Sequence, residues 1–143
     1  MTIGYTQGTF DVLHVGHINL LQYAKNDCDY LIVGINSDQL VREYKHHNTS
    51  ISQQERMEII KAIKYVDEVV LCTTLDKIDA WNKHHFNKIY IGSDWQGSER
   101  WKKSEEDLKP LGASVVYVPL VFHDCDKVSS SQIKKEIVEK YEN

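Results

Sequence analysis

The first information in this sequence lies in what it lacks. None of its 143 residues falls in an apolar run near the roughly 20 residues that span a bilayer, the longest stretches (31–33 and 115–120) being strand-sized. The amino terminus, Met1-Thr2-Ile3-Gly4-Tyr5, carries neither a basic segment nor a cleavable hydrophobic stretch. These absences predict a cytoplasmic protein with no membrane partner. Cysteine is scarce: Cys28, Cys72 and Cys125 are widely spaced and form no CxxC, which excludes a disulfide framework and fits a reducing compartment. Two prolines and seven glycines do not gather into a linker, so residues 1–143 read as one domain. No excess of basic charge exists either. With 17 Lys and Arg against 21 Asp and Glu, the net charge is −4, which excludes nucleic acid held by counterion release. Any anion must be held by a few aimed donors. Missing, finally, are GxGxxG and GxxxxGK[ST], so dinucleotide redox chemistry and P-loop hydrolysis lose support.

What is present suffices for a globular core, with 41% apolar and 27% charged residues. Residues 3–7 read as a strand running into Gly8-Thr9-Phe10-Asp11. From Val15 the apolar positions Ile18, Leu21 and Ala24 recur at helical spacing until Asn26-Asp27. The run 30–35 is apolar on both faces, as in a strand buried within a parallel sheet. Ser37-Asp38 predicts the cap of a short helix to about Tyr44, and 45–51 a loop. Ser52-Gln53-Gln54-Glu55 fits a capping box for a helix over 55–64. Further strands are predicted over 68–71, 88–92 and 114–119, and helices over 75–85 and 101–108. A last helix, capped by Ser129–Ser131, carries Ile133, Ile137 and Tyr141. Strands alternating with helices imply right-handed crossovers and a doubly wound, Rossmann-like parallel α/β sheet. Ligands bind such sheets beyond the carboxyl ends of the strands.

The segment after the first strand is Gly8-Thr9-Phe10-Asp11-Val12-Leu13-His14-Val15-Gly16-His17. Gly16 lets backbone approach a ligand where a helix starts, and that helix end offers unpaired amides and partial positive charge to an anion. His14 and His17 are three apart across the start, so both imidazoles can face one site. Zinc is the weaker reading, because no third ligand stands nearby and the spacing is not HExxH. A purely structural reading makes one histidine a cap and the other a packed side chain.

This ten-residue stretch resembles the GTFDxxHxGH signature of the nucleotidyltransferase superfamily, whose members form nucleotide–phosphate diester bonds and release pyrophosphate. Three further segments are similar to its cytidylyltransferase branch: Tyr65-Val66-Asp67-Glu68-Val69 to RYVDEV, 91–97 to GDDWEG, and 128–134 to ISTTKI. The resemblance implies transfer of a cytidylyl group from CTP, with Mg²⁺, to a small alcohol phosphate, glycerol phosphate favoured. The products would be a CDP-alcohol, a precursor for cell-surface polymer or lipid synthesis, and pyrophosphate. It implies that His14 and His17 donate to the α-phosphate and that Thr9 and Phe10 line the nucleotide site. By the same resemblance Lys45 meets the phosphates, Arg56 clamps a substrate phosphate, and Ser129 and Ser130 hold the β- and γ-phosphates. Asp94 and Trp95 would lie beside cytosine and ribose, with Asp11 and Asp94 on the magnesium side; no resident protein metal centre is implied. A homodimer is expected from the family.

One departure concerns 120–127, where relatives carry a short loop with an arginine. This chain has a longer segment without one, leaving Lys127 or His123 to substitute. Rival readings are an adenylyltransferase of the same superfamily, a cytidylyltransferase for another acceptor such as ethanolamine phosphate, and a nucleotide-binding module without turnover.

Overall fold

The computed structural model describes residues 1–119 and 133–138. At its centre is β1 (Ile3–Gly8), flanked by β2 (Tyr30–Asn36) and β4 (Lys88–Gly92), with Tyr5 opposite both Ile32 and Ile89. The edges are β3 (Glu68–Cys72) and β5 (Ser114–Val118), giving a wholly parallel sheet in the order β3-β2-β1-β4-β5. The chain winds outward from β1 to β2 and β3, then returns to β4 on the other side. Connections therefore diverge at the carboxyl ends of β1 and β4, and this divergence opens a crevice there.

Every strand read from the sequence is present, so the doubly wound α/β class is the observed one. Local hydrogen bonds move some helix ends. α1 (Val15–Asp27) and α2 (Asp38–Lys45) match expectation, with Ser37 capping α2 by accepting from the Leu40 amide. α3 (Gln53–Lys61) starts and stops earlier than its apolar stripe suggested, directly after its cap Ser52. α4 (Lys77–His84) starts later because the Asp76 carboxylate caps Ile78, and it stops where His85 turns left-handed at φ 49°. α5 (Glu99–Leu108) starts earlier, at its cap Ser98. Residues 133–138 are helical; the expected caps Ser129–Ser131 lie outside the described residues.

Each face of the sheet buries its own cluster. Leu21 and Ala24 of α1 and Ile60 of α3 pack on Leu31, Val33 and Ile35. On the other face Ala80 of α4 and Trp101 and Leu108 of α5 pack with Tyr5, Ile32 and Ile89. β2 contributes to both clusters, as a strand covered on two sides must. The end of the sheet away from the crevice is tied by carboxylates. Asp67 accepts from the Leu31 amide at 2.8 Å and the Lys25 ammonium at 2.6 Å, and Asp27 accepts from Tyr90 and Lys88. The Tyr65–Val69 segment thus has a structural duty: it joins α1 to the start of β2.

Packing is close in the middle of β2. A Cβ built on Gly34 would lie 2.6 Å from both Cys72 Sγ and the Tyr5 hydroxyl, which themselves are 3.3 Å apart. Gly34→Ala should therefore lower unfolding free energy by about 1–3 kcal/mol, the usual cost of overpacking, read as a lower urea midpoint at unchanged slope.

Candidate active site

The crevice is a cleft of about 810 Å³ bounded by the loops that follow β1, β2, β3 and β4. Its floor is the start of α1. His14 stands at the N-cap with extended backbone, its Nδ1 accepting from the Gly16 amide at 3.0 Å. His17, three residues on, turns its Nδ1 back to accept from the His14 amide at 3.2 Å. This is a capping box made of two histidines, each satisfying an orphan donor of the helix end. Their rings stack with centroids 3.9 Å apart.

The bonds fix the chemistry of both rings. An Nδ1 that accepts carries no proton, so each neutral ring holds its proton on Nε2. His14 Nε2 is buried and has no partner among the described residues. Burial lowers the His14 pKa; burial and then the adjacent His14 ring pull His17 down to about 4. The pair therefore presents neutral N–H donors at pH 7. Of the first-turn amides expected to be free, that of Gly16 is taken by His14 Nδ1 and that of His17 by the His14 carbonyl at 3.0 Å, so the imidazole N–H groups are the side-chain donors at this helix end.

Phe10 supports this floor. It adopts φ 51°, an uncommon region for a bulky residue, and buries its ring against His17 with centroids 5.2 Å apart. Gly8 is needed beneath it, because a Cβ there would meet the Phe10 ring at 3.0 Å. Thr9, Phe10, Gly16 and Lys45 all line the cleft, Lys45 from the exposed end of α2, and Asp94 and the half-exposed Trp95 line it from the turn after β4.

Two expected ligands do other work. Arg56 is fully buried and absent from the cleft wall, so it cannot clamp a substrate phosphate. Its guanidinium donates to the carbonyls of Ile51 (3.0 Å), Thr9 (2.7 Å) and Asn36 (2.7 Å) and to the Asp38 carboxylate (2.7 Å). It knits together the ends of β1 and β2. Asp11 is also spent: its two oxygens accept from the Ser50 and Ile51 amides, and it pairs with Lys134 of the C-terminal helix. Burial alone raises its pKa, but Lys134 and the two amides outweigh that and hold the carboxyl below its usual range. Ser129, Ser130, Lys127 and His123 lie outside the described residues.

The structure adds side chains that sequence reasoning missed. Lys77, at the start of α4, reaches the cleft and donates to the Leu75 carbonyl at 2.9 Å, with its ammonium 5.0 Å from the Trp101 ring centroid. Burial, then Arg100, lowers its pKa to about 8 against the opposing pull of Asp76 and Cys72. Arg100 lines the same wall. A lysine just beyond a strand's carboxyl end is a readable signal; Arg100 had none, sitting on a helix rich in exposed charge. Asn19 also faces the cleft, its Nδ2 buried and unpartnered among the described residues. Cations thus flank both sides, Lys134 beside α1 and Lys77 with Arg100 on the α4–α5 side.

The histidine pair has a measurable signature. The unfolded chain binds these two protons near pH 6.5, the folded protein only at lower pH, so the unfolded state binds more protons between the two values. Stability should therefore fall as pH drops from about 6.5 towards 4. In NMR spectra His17 should keep neutral, Nε2-protonated ring shifts at pH 5.5.

The sequence profile of the cytidylyltransferase-like family matches residues 5–136. The chain is 36% identical over 135 residues to the glycerol-3-phosphate cytidylyltransferase of Bacillus spizizenii, covering 92% of this chain and 94% of that protein. It is 35% identical over 140 residues to the FAD synthase of Thermococcus sibiricus, covering 95% and 92%. The crystal structure of the lipopolysaccharide core biosynthesis protein from Thermoplasma volcanium matches with a TM-score of 0.72 at 26% identity, over 87% of this chain and 99% of that one. Fold, histidine turn and relatives agree, and the chain belongs to the cytidylyltransferase-like family of nucleotidyltransferases.

Proposed function

We propose that this nucleotidyltransferase moves a cytidylyl group from CTP to a small alcohol phosphate, glycerol phosphate favoured. An oxygen of the acceptor phosphate forms a bond to the α-phosphorus as the bond to the β-phosphate oxygen breaks, giving a CDP-alcohol and pyrophosphate. The observation that carries this reading is the neutral, Nε2-protonated pair His14 and His17 at the floor of the cleft. An acceptor phosphate with a second pKa near 6 is already largely dianionic at pH 7, so no base is required. The rings act as aimed donors to the charge that builds on the α-phosphate, and a His17 pKa of about 4 makes that ring a poor proton shuttle.

In this proposal the cleft-lining Asp94 and Trp95 serve the nucleoside, Lys45 and Lys134 the leaving pyrophosphate, and Lys77 with Arg100 the acceptor's phosphate; the resemblance assigns Ser129 and Ser130, outside the described residues, to the pyrophosphate as well. The donor set fits a magnesium ion carried on the triphosphate, with Asp94 as its protein carboxylate and waters completing the shell. Among the described residues no cluster of three His, Cys, Asp or Glu forms a cage. Such an ion would supply neutralisation of triphosphate charge. A homodimer is part of the proposal, consistent with the open β3 edge and the exposed Ile59 and Leu71 beside it. A second reading is adenylyl transfer, favoured by the FAD synthase relatives of similar identity.

Pyrophosphate release measured across CTP, ATP, UTP and GTP, each with glycerol, ethanolamine and ribitol phosphates and flavin mononucleotide, separates the two. Turnover should appear with CTP and glycerol phosphate; turnover with ATP alone sinks the cytidylyl reading. His14→Ala and His17→Ala should each cut kcat about 10²–10³-fold with little change in CTP affinity. Lys77→Met should raise the acceptor KM about tenfold, the scale of a hydrogen bond to a charged group. In the unaltered protein kcat/KM for the acceptor should fall as pH rises through about 8, where Lys77 loses its charge. That fall should vanish in Lys77→Met.

A further inference from the structure

One wall of the cleft carries a chain of side-chain hydrogen bonds whose direction can be followed from end to end. The Thr74 carbonyl can only accept, and Gln7 Nε2 donates to it at 2.9 Å. The polarity of the Gln7 amide is therefore fixed, its Oε1 accepting from the Tyr5 hydroxyl at 2.6 Å. The same Nε2 donates to Asn36 Oδ1 at 2.9 Å. Buried Asn36 must then turn its Nδ2 the other way, where it donates to the Tyr44 hydroxyl at 3.2 Å and to Thr9 Oγ1 at 3.5 Å. Those two hydroxyls are 2.9 Å apart, and both residues line the cleft.

Each hydroxyl oxygen accepts from Asn36, and one hydroxyl proton bridges the pair. The second proton has no acceptor among the described residues. A phenol is far more acidic than an aliphatic alcohol, so opposite an anion the favoured arrangement has Thr9 donating to Tyr44 and Tyr44 donating outward. The Lys45 ammonium, 5.7 Å from the Tyr44 ring centroid, adds positive potential at the same spot. An outward-facing neutral donor beside a cation fits an unprotonated phosphoryl oxygen.

We propose that the Tyr44 phenol binds a phosphoryl oxygen of a bound substrate, and that Gln7 and Asn36 are positioning residues that keep it a donor. The proposal rests on reading the cleft as a nucleotidyl-transfer site. The triphosphate and the acceptor phosphate offer the same chemistry, and the measurement distinguishes them. CTP and, separately, ATP are titrated calorimetrically into the wild type, Tyr44→Phe, Gln7→Met and the double variant, and the acceptor KM is taken from pyrophosphate release.

Tyr44→Phe keeps the ring and loses only the hydroxyl, so its melting midpoint should stay near that of the wild type. Its binding should weaken about tenfold, the low end for a hydrogen bond to a charged group. A weaker nucleotide Kd assigns the oxygen to the triphosphate; a raised acceptor KM alone assigns it to the acceptor; no change in either overturns the proposal. Gln7→Met should weaken the same constant in the wild-type background and add nothing to Tyr44→Phe, since it acts through that hydroxyl. Additive losses overturn the positioning role. A protein that binds ATP and not CTP refutes the cytidylyl reading, yet the Tyr44→Phe comparison is then made on ATP and still decides this one.

Discussion

The site depends on a buried guanidinium. Arg56 takes carbonyls from the turn after β1, the end of β2 and the turn before α3, and closes the set with Asp38. Two of these oxygens, those of Thr9 and Ile51, lie in turns outside the strands, and the third, that of Asn36, ends β2. A neutral side chain cannot meet three carbonyls at once; a planar cation with donors in a fixed fork can. Asp11 does the complementary work by accepting two amides of the same 50–51 turn and pairing with Lys134. Oxygens go to Arg56 and amides to Asp11, and these two charged side chains tie together the loops around the cleft.

On this frame the histidine pair gains its chemistry from a structural duty. Capping α1 consumes both Nδ1 atoms, so the tautomer follows from helix capping rather than from any ligand. Burial between Phe10 and the helix end then keeps the rings neutral. Donors that carry no charge of their own can be packed 3.9 Å apart without repelling each other. The positive charge is instead spread to either side, on Lys134 and on Lys77 with Arg100. A reaction that joins two phosphates needs this division, because attacking and leaving groups are both anions.

Much of this was legible in the sequence. The apolar run of β2 and the alternation of strands and helices set the doubly wound sheet, and Ser37 and Ser52 stand at helix starts as their side chains require. His14 and His17 were visible because the pair and the helix start lie within four residues of one another. Arg56 was placed in the cleft for a sound local reason, a charged residue beside a phosphate-binding turn, yet it is buried behind the wall; Asp11 does line the cleft, with its oxygens engaged by Ser50, Ile51 and Lys134. Whether such a charge meets a ligand or a loop depends on backbone groups as far as 47 residues away.

Sequence alone determined the order of elements, the crevice at the carboxyl ends and the two imidazoles at its floor, since periodicity, capping and motif spacing are short-range properties. Tertiary structure alone decided which charges are spent on the frame and which face the cleft. It likewise decided the direction of the Gln7–Asn36–Tyr44 bonds, which originates at the Thr74 carbonyl. The physical reason is common to both: a hydrogen-bonding side chain is committed by whichever unpaired partner the fold brings beside it, and those partners come from β1, β2 and the loop after β3 at once.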